Sequence, residues 1–201
     1  MIVQGVSIGD MINQSMTVLT KPSVQTFEQF ERRGGQREAL IYVGVAAAVG
    51  GILAAIFGIF SGGVAGAIGG LLFGLLIPLI SFYISAFLIY TIGKAQGGTG
   101  TQDEVFYSVA LYLAPILAIN GVIGSNALFA CLAFPVSLLL GLYGIYLGYL
   151  AIRASMNLDQ TKAIITMVVA FVAQLVVGAV IGGILAAVGL GAAAATGGFS
   201  T

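Results

Sequence analysis

Residues 93–107 read GKAQGGTGTQDEVFY, a stretch that brings a lysine, several glycines and two adjacent carboxylates together. Glycines beside Lys94 suggest a loop whose backbone N–H groups cradle a phosphate, and the adjacent Asp103 and Glu104 suggest an acid/base pair or weak ligands for Mg²⁺ or Ca²⁺. The order of the residues argues against both. In a phosphate loop of the form G-x-x-x-x-G-K-[ST] the lysine follows the glycines, whereas Lys94 precedes Gly97, Gly98 and Gly100. Thr101-Gln102-Asp103-Glu104 fits a capping box instead, in which Thr101 accepts a first-turn N–H and Glu104 reaches back to the N-cap. Two carboxylates then occupy the positive end of the helix dipole, where a phosphate would be repelled. The stretch is expected to be a connector: Lys94 ends one helix, a flexible 97–100 crosses, and the Thr101/Glu104 cap starts the next.

Little other chemistry is available. The chain has no histidine, which removes an imidazole base, a Ser-His-Asp arrangement and histidine metal ligands. Its single cysteine, Cys131, offers neither a disulfide framework nor a zinc site. No catalytic residue, cofactor or metal is therefore expected. Seven basic and seven acidic residues cancel, so nothing in the net charge favours nucleic acid.

The elements that carry these residues follow from hydropathy. Only 7% of the 201 residues are charged and 59% are hydrophobic, against roughly 25% charged in soluble domains. Residues 39–92 contain 54 consecutive positions without Asp, Glu, Lys or Arg, residues 105–152 contain 48, and a third run extends from 163. Each run is longer than the ~20 residues that cross a bilayer, so the first two must fold back. Turn signals at Ser61-Gly62-Gly63 and Gly124-Ser125-Asn126 divide them, giving five spans near residues 40–60, 64–92, 102–123, 127–152 and 163–188. The expected fold is an all-α polytopic membrane bundle, with an N-terminal segment over 1–38, a five-helix domain over 39–188 and a flexible Gly/Ala-rich tail over 189–201. The opening MIVQGVSIGDMINQSM lacks the cationic region of a cleaved leader. Lys21, Arg32, Arg33, Arg37, Lys94, Arg153 and Lys162 all fall on one side of these spans. The positive-inside rule then places the N-terminus and the longer connectors in the cytoplasm and the C-terminus outside.

Before the first span, PSVQTFEQFERRGGQREAL sets Val24, Phe27 and Phe30 at helical spacing after Pro22. This predicts a short helix. Its aromatics either enter the headgroup boundary, with Arg32 and Arg33 meeting anionic lipid, or pack against the loops. Within the spans, Gly62, Gly66, Gly70 and Gly74 recur every four residues, as do Gly144 with Gly148 and Gly178 with Gly182. Such grooves admit a second helix closely, either within one chain or between copies in a homo-oligomer. Phe27, Phe30, Arg32, Arg33, Lys94, Asp103, Glu104 and Arg153 are the candidate contact residues on the cytoplasmic side. Membrane lipid is the expected partner there, and a cytoplasmic protein is a further one.

The chain also resembles the Yip (Ypt-interacting protein) family over about residues 20–189. PSVQTF at 22–27, REALIYV at 37–43, GKAQGGTGT at 93–101, ALYLAP at 110–115 and YLGYLAIRA at 146–154 carry the likeness in order. The resemblance implies a five-span domain with a cytoplasmic N-terminus, and in eukaryotic members a trafficking role through prenylated Rab-type small GTPases. The long N-terminal region and the Asp-Leu-Tyr-Gly-Pro signature of those members do not occur here. The compact form resembles the bacterial and archaeal branch, which implies a prokaryotic cell membrane, and GTPase binding is carried over to no residue. The expectation is a non-enzymatic membrane-organising or trafficking-related scaffold. Pro78, Pro115 and Pro135 inside the spans keep a second reading open, a small solute transporter or channel built on broken helices with a solvated cavity near Asn120, Pro78, Pro115 and Gln174.

Overall fold

The computed structural model describes residues 5–124 and 130–195, with the backbone alone at 130–132, 181 and 184–195. Ser125, Asn126 and the side chain of Cys131 lie outside the described residues. The described elements are all α-helices: α1 (Ile8–Thr20), α2 (Val24–Phe30), α3 (Gln36–Ala95), α4 (Gln102–Gly124), α5 (Ala130–Met156) and α6 (Gln160–Ala195). Four of them, α3 to α6, are long and apolar enough to cross a membrane.

Although α3 covers 60 residues, it is not one straight rod. Gly63 has φ 59° and ψ −144°, a combination open essentially to glycine alone. There the helix doubles back, at the Ser61-Gly62-Gly63 signal in the sequence. Gly58 then faces Gly66, Ala54 faces Gly70 and Gly51 faces Gly74, so the limbs 36–62 and 64–95 run antiparallel with their backbones in contact. A Cβ on Gly74 would stand 2.6 Å from the Gly51 Cα. Three of the four glycines in the regular series thus fill one intramolecular groove.

The centre of the bundle is α4. Its first half is buried on every side, from Val105 to Leu111. It runs parallel to the first limb of α3, since Asp103 lies at Gln36 and Gly121 at Gly50. Phe82 and Tyr83 of the second limb meet Phe106 edge-on at 5.8 and 5.3 Å. Antiparallel to α4 lies α5, with Ser137 donating to Asn120 at 2.9 Å, Gly144 beside Ile116 and Gly148 beside Tyr112.

One expectation fails at a connector. The 97–100 segment is a packed turn: Thr99 N–H donates to the Met156 carbonyl at 3.0 Å, and Asn157 donates from its side chain to Thr99 at 3.1 Å. A Cβ on Gly100 would collide with the Ser155 carbonyl. These glycines therefore serve close approach to the end of α5, with a positive φ of 89° needed only at Gly97. At the other end, α6 continues as helix to Ala195, through the first part of the stretch expected to be a flexible tail. Alanine's high helix propensity supports that extension.

Candidate interaction surface at the charged end

The charged residues gather where α1, α2, the start of α3, the 96–101 turn and the 157–159 turn meet. Here the heads of α3 and α4 cap each other. Thr101 N–H donates to Glu104 Oε2 at 2.8 Å and Glu104 N–H donates to Thr101 Oγ1 at 3.3 Å, completing the capping box that the sequence predicts. Glu38 accepts the Gly35 N–H at 2.9 Å in the same manner. Asp103 turns sideways and accepts the Gln36 N–H at 2.9 Å, so a carboxylate of α4 closes the N-terminus of α3. With carboxylates at both helix ends, a phosphate there would meet repulsion.

Arg32 ties the α2–α3 connector to this pair of helix heads. Its Nε lies 2.9 Å from Glu104 Oε1 and 3.6 Å from Glu31 Oε1, and its side chain remains 65% exposed. Glu31 is buried, and its second oxygen has no partner. Burial raises the Glu31 pKa to about 7, helped by the Glu104 and Glu28 charges and opposed by Arg32.

Docked on this junction is α1, an element that the sequence reading left unassigned. Ser7 caps it by accepting the Asp10 N–H at 3.1 Å. Met11, Gln14, Ser15 and Val18 form its buried face, the i, i+3, i+4, i+7 stripe of an amphipathic helix. Tyr107 donates to Gln14 Oε1 and Tyr42 donates to Ser15 Oγ, both at 2.9 Å, while Tyr143 donates to the Leu19 carbonyl at 2.6 Å. The signal for this helix was present: Ser7-x-x-Asp10 is an N-cap pattern followed by the apolar stripe. Two polar residues inside the stripe, Gln14 and Ser15, disguised it, because they are buried only where Tyr107 of α4 and Tyr42 of α3 supply partners.

The candidate contact residues divide by exposure. Arg32, Arg33 and Lys94 point outward, and Arg153 is half-exposed. Arg33 lies over the Phe30 ring at 5.6 Å, Lys94 over Tyr90 at 5.7 Å and Arg153 over Tyr149 at 5.8 Å. Phe27, Phe30 and Glu104 are buried within the chain. Phe27 packs edge-on against Tyr112 at 6.5 Å because α2 lies against α5 and α4, with α1 beside it. Ser23 is the N-cap of α2, so Pro22 precedes the helix and does not occupy its first position. Asp103 is partly exposed and engaged with α3. Among the glycines, Gly66, Gly70, Gly74 and Gly148 meet neighbours closely, Gly144 touches Ile116, and Gly62, Gly178 and Gly182 face open space. Among the described residues, no three His, Cys, Asp or Glu side chains converge on a possible metal position.

The end of α1, all of α2, the glycine turn of α3 and the central α4 lie within residues 16–182, which match the Yip1 domain. The chain belongs to the Yip1 domain family. The match covers most of the chain, from the last five residues of α1 into α6. No curated protein and no solved structure matches. The apolar helices of this Yip1 domain make it an integral membrane protein.

Proposed function

We propose that this Yip1-domain protein is a non-enzymatic, five-crossing scaffold that organises membrane, with its charged end in the cytoplasm of a prokaryotic cell. The observation that carries this reading is the α1–α2 pair pinned to the helix heads through Tyr107–Gln14, Tyr42–Ser15 and Arg32–Glu104. Such an arrangement is an ordered platform outside the hydrocarbon, suited to presenting a fixed surface to a protein or a lipid. The doubling-back of α3 at Gly63 supports five crossings, because it turns one long helix into two. The confinement of every basic residue to one end supports the orientation. In a Cys131→Ser background, Ser61→Cys and Lys94→Cys should label from opposite faces of a sealed vesicle; labelling from one face overturns the topology. In-membrane crosslinking with mass spectrometry should recover crosslinks from the α1–α2 face to a second protein or a second copy. Crosslinks confined to one chain count against a protein-scaffolding role.

One observation favours transport. A cavity of about 330 Å³ lies between the two limbs of α3 and α4, lined by Ala46, Gly50, Gly74, Pro78, Asn120 and Gly121 among others. It contains Pro78 and Asn120, two of the positions at which a transport site was expected, but neither Pro115 nor Gln174 lines it. Specific, saturable solute flux into proteoliposomes that Asn120→Leu abolishes would replace the scaffold reading with this one.

A further inference from the structure

The chain is formally neutral, yet burial separates its charges. Glu31, Glu38 and Glu104 are buried and Asp103 is partly buried, leaving Asp10, Glu28 and Asp159 as the exposed acids. Lys21, Arg32, Arg33, Arg37, Lys94 and Lys162 are all exposed, and Arg153 is half-exposed. The helix heads take up carboxylates as caps, at Gly35, Gln36 and Thr101. The cations are left on the outside.

Four of these cations sit at one kind of position. Arg37 heads an exposed apolar stripe of Ile41, Val45, Val49, Ile52 and Ile56 on the first limb of α3. On the second limb, Leu76, Ile80, Tyr83 and Phe87 lead to Lys94. On α5 the stripe of Leu139, Leu142 and Tyr146 ends at Arg153, and on α6 Ile165, Val169, Val172 and Val176 begin from Lys162. The spacings are three, four or seven residues, so each stripe and its cation share a helix face. By contrast α4, enclosed by the others, begins with Asp103 and Glu104 and has no cation. The pattern thus follows exposure to the surroundings and not helix polarity alone. Tyr90 beside Lys94 and Tyr149 beside Arg153 add the aromatic groups typical of the headgroup level. No ion pair involves Arg37, Lys94, Arg153 or Lys162 among the described residues.

We infer that Arg37, Lys94, Arg153 and Lys162 form a ring that selects anionic phospholipids from the leaflet at the charged end, each acyl chain lying along the stripe below its cation. An apolar strip with a cation at one end matches a phospholipid in both parts: hydrocarbon along the helix and a phosphate-bearing anionic headgroup at its end. A zwitterionic lipid supplies the same chains and no net charge, so the ring discriminates between them. A basic residue at the surface of an anionic membrane contributes about 1 kcal/mol, a local preference of roughly fivefold. The inference uses the membrane placement alone, so its failure leaves the scaffold and transport readings as they stand, and their failure leaves it intact.

The test is electron paramagnetic resonance of the full chain in phosphatidylcholine bilayers, comparing spin-labelled phosphatidylglycerol with spin-labelled phosphatidylcholine at the protein boundary. Phosphatidylglycerol should be enriched at low salt. That enrichment should shrink near 1 M salt, where the screening length falls to about 3 Å, and soluble glycerol phosphate should not displace the lipid. Replacing all four cations (Arg37→Gln, Lys94→Gln, Arg153→Gln, Lys162→Gln) should bring the two lipids to parity with helix content unchanged. Should the fourfold variant fail to insert, Lys94→Gln and Lys162→Gln are read singly, each lowering the enrichment. Equal association of both lipids with the unmodified chain overturns the inference. So does an enrichment unchanged in the variants.

Discussion

The charged end and the glycine turn of α3 are both tightly packed, by opposite means. At the charged end, side chains hold the helices: three tyrosine hydroxyls reach α1, carboxylates cap the heads of α3 and α4, and Arg32 bridges two acids. Along residues 51–74 backbone meets backbone, with Gly51, Gly58, Gly66, Gly70 and Gly74 at the contact, while Phe60 and Val64 stand 82% and 77% exposed. The difference reflects the two solvents. In hydrocarbon, apolar side chains gain nothing from facing each other over facing lipid, so close backbone approach and dispersion must hold helices together. Near water, burial of apolar faces recovers its value and polar groups can be satisfied by partners.

The comparison is broken most severely by Gly70→Leu. The added side chain enters the Ala54 carbonyl, a backbone atom that cannot rotate away, and a loss of about 3 kcal/mol is expected. Thermal unfolding in detergent measures it, and an unchanged midpoint would refute backbone contact as the cohesive element of the turn. Next in size is a gain at the charged end. Glu31→Gln removes a carboxylate whose folded pKa is raised to about 7 from 4.5. An acid with a raised folded pKa costs stability as pH climbs from its unfolded to its folded value, since the unfolded chain gives up its proton first. The variant should therefore match the parent near pH 4 and exceed it by about 2 kcal/mol at pH 8, less than the about 1.4 kcal/mol per unit of an unscreened shift because nearby solvent screens the charge. A difference independent of pH would mean that Glu31 is not buried as described.

Tyr107→Phe probes a single link of the platform. It deprives the buried Gln14 Oε1 of its donor, at a cost of about 1–2 kcal/mol, and hydrogen exchange should rise in α1 more than in the turn of α3. Equal protection in α1 would show that apolar packing alone holds it. The smallest effect sharpens the contrast: Gly178→Leu faces open space and should change stability by less than about 0.5 kcal/mol in the monomer. A larger loss, accompanied by a change in oligomer state, would place a second copy on α6.

How far the sequence could be read depended on distance along the chain. The Thr101/Glu104 cap, the reversal at Ser61 to Gly63 and the approximate apolar spans are local patterns, and they were legible. The partners of buried polar groups were not. Gln14 and Tyr107 are 93 residues apart, and Gln36 and Asp103 are 67 apart. Nothing in either neighbourhood announces the other. For the same reason Phe27 and Phe30 remained undecided between headgroups and protein until α2 was placed against α4 and α5, with α1 alongside.

By itself, then, the sequence determined the solvent and the outline. Long uncharged runs require membrane helices, glycine spacing marks where they can touch, and basic residues confined to the connectors mark one end, because hydropathy, backbone freedom and charge belong to each residue wherever it lies. Tertiary structure alone decided which charges face outward. Seven acids and seven bases balance in composition, but folding turns three glutamates inward and leaves six cations at the surface. That sorting comes from which helix ends meet, since an N-terminus packed against another helix head needs acceptors for its free N–H groups, and at α3 and α4 carboxylates supply them.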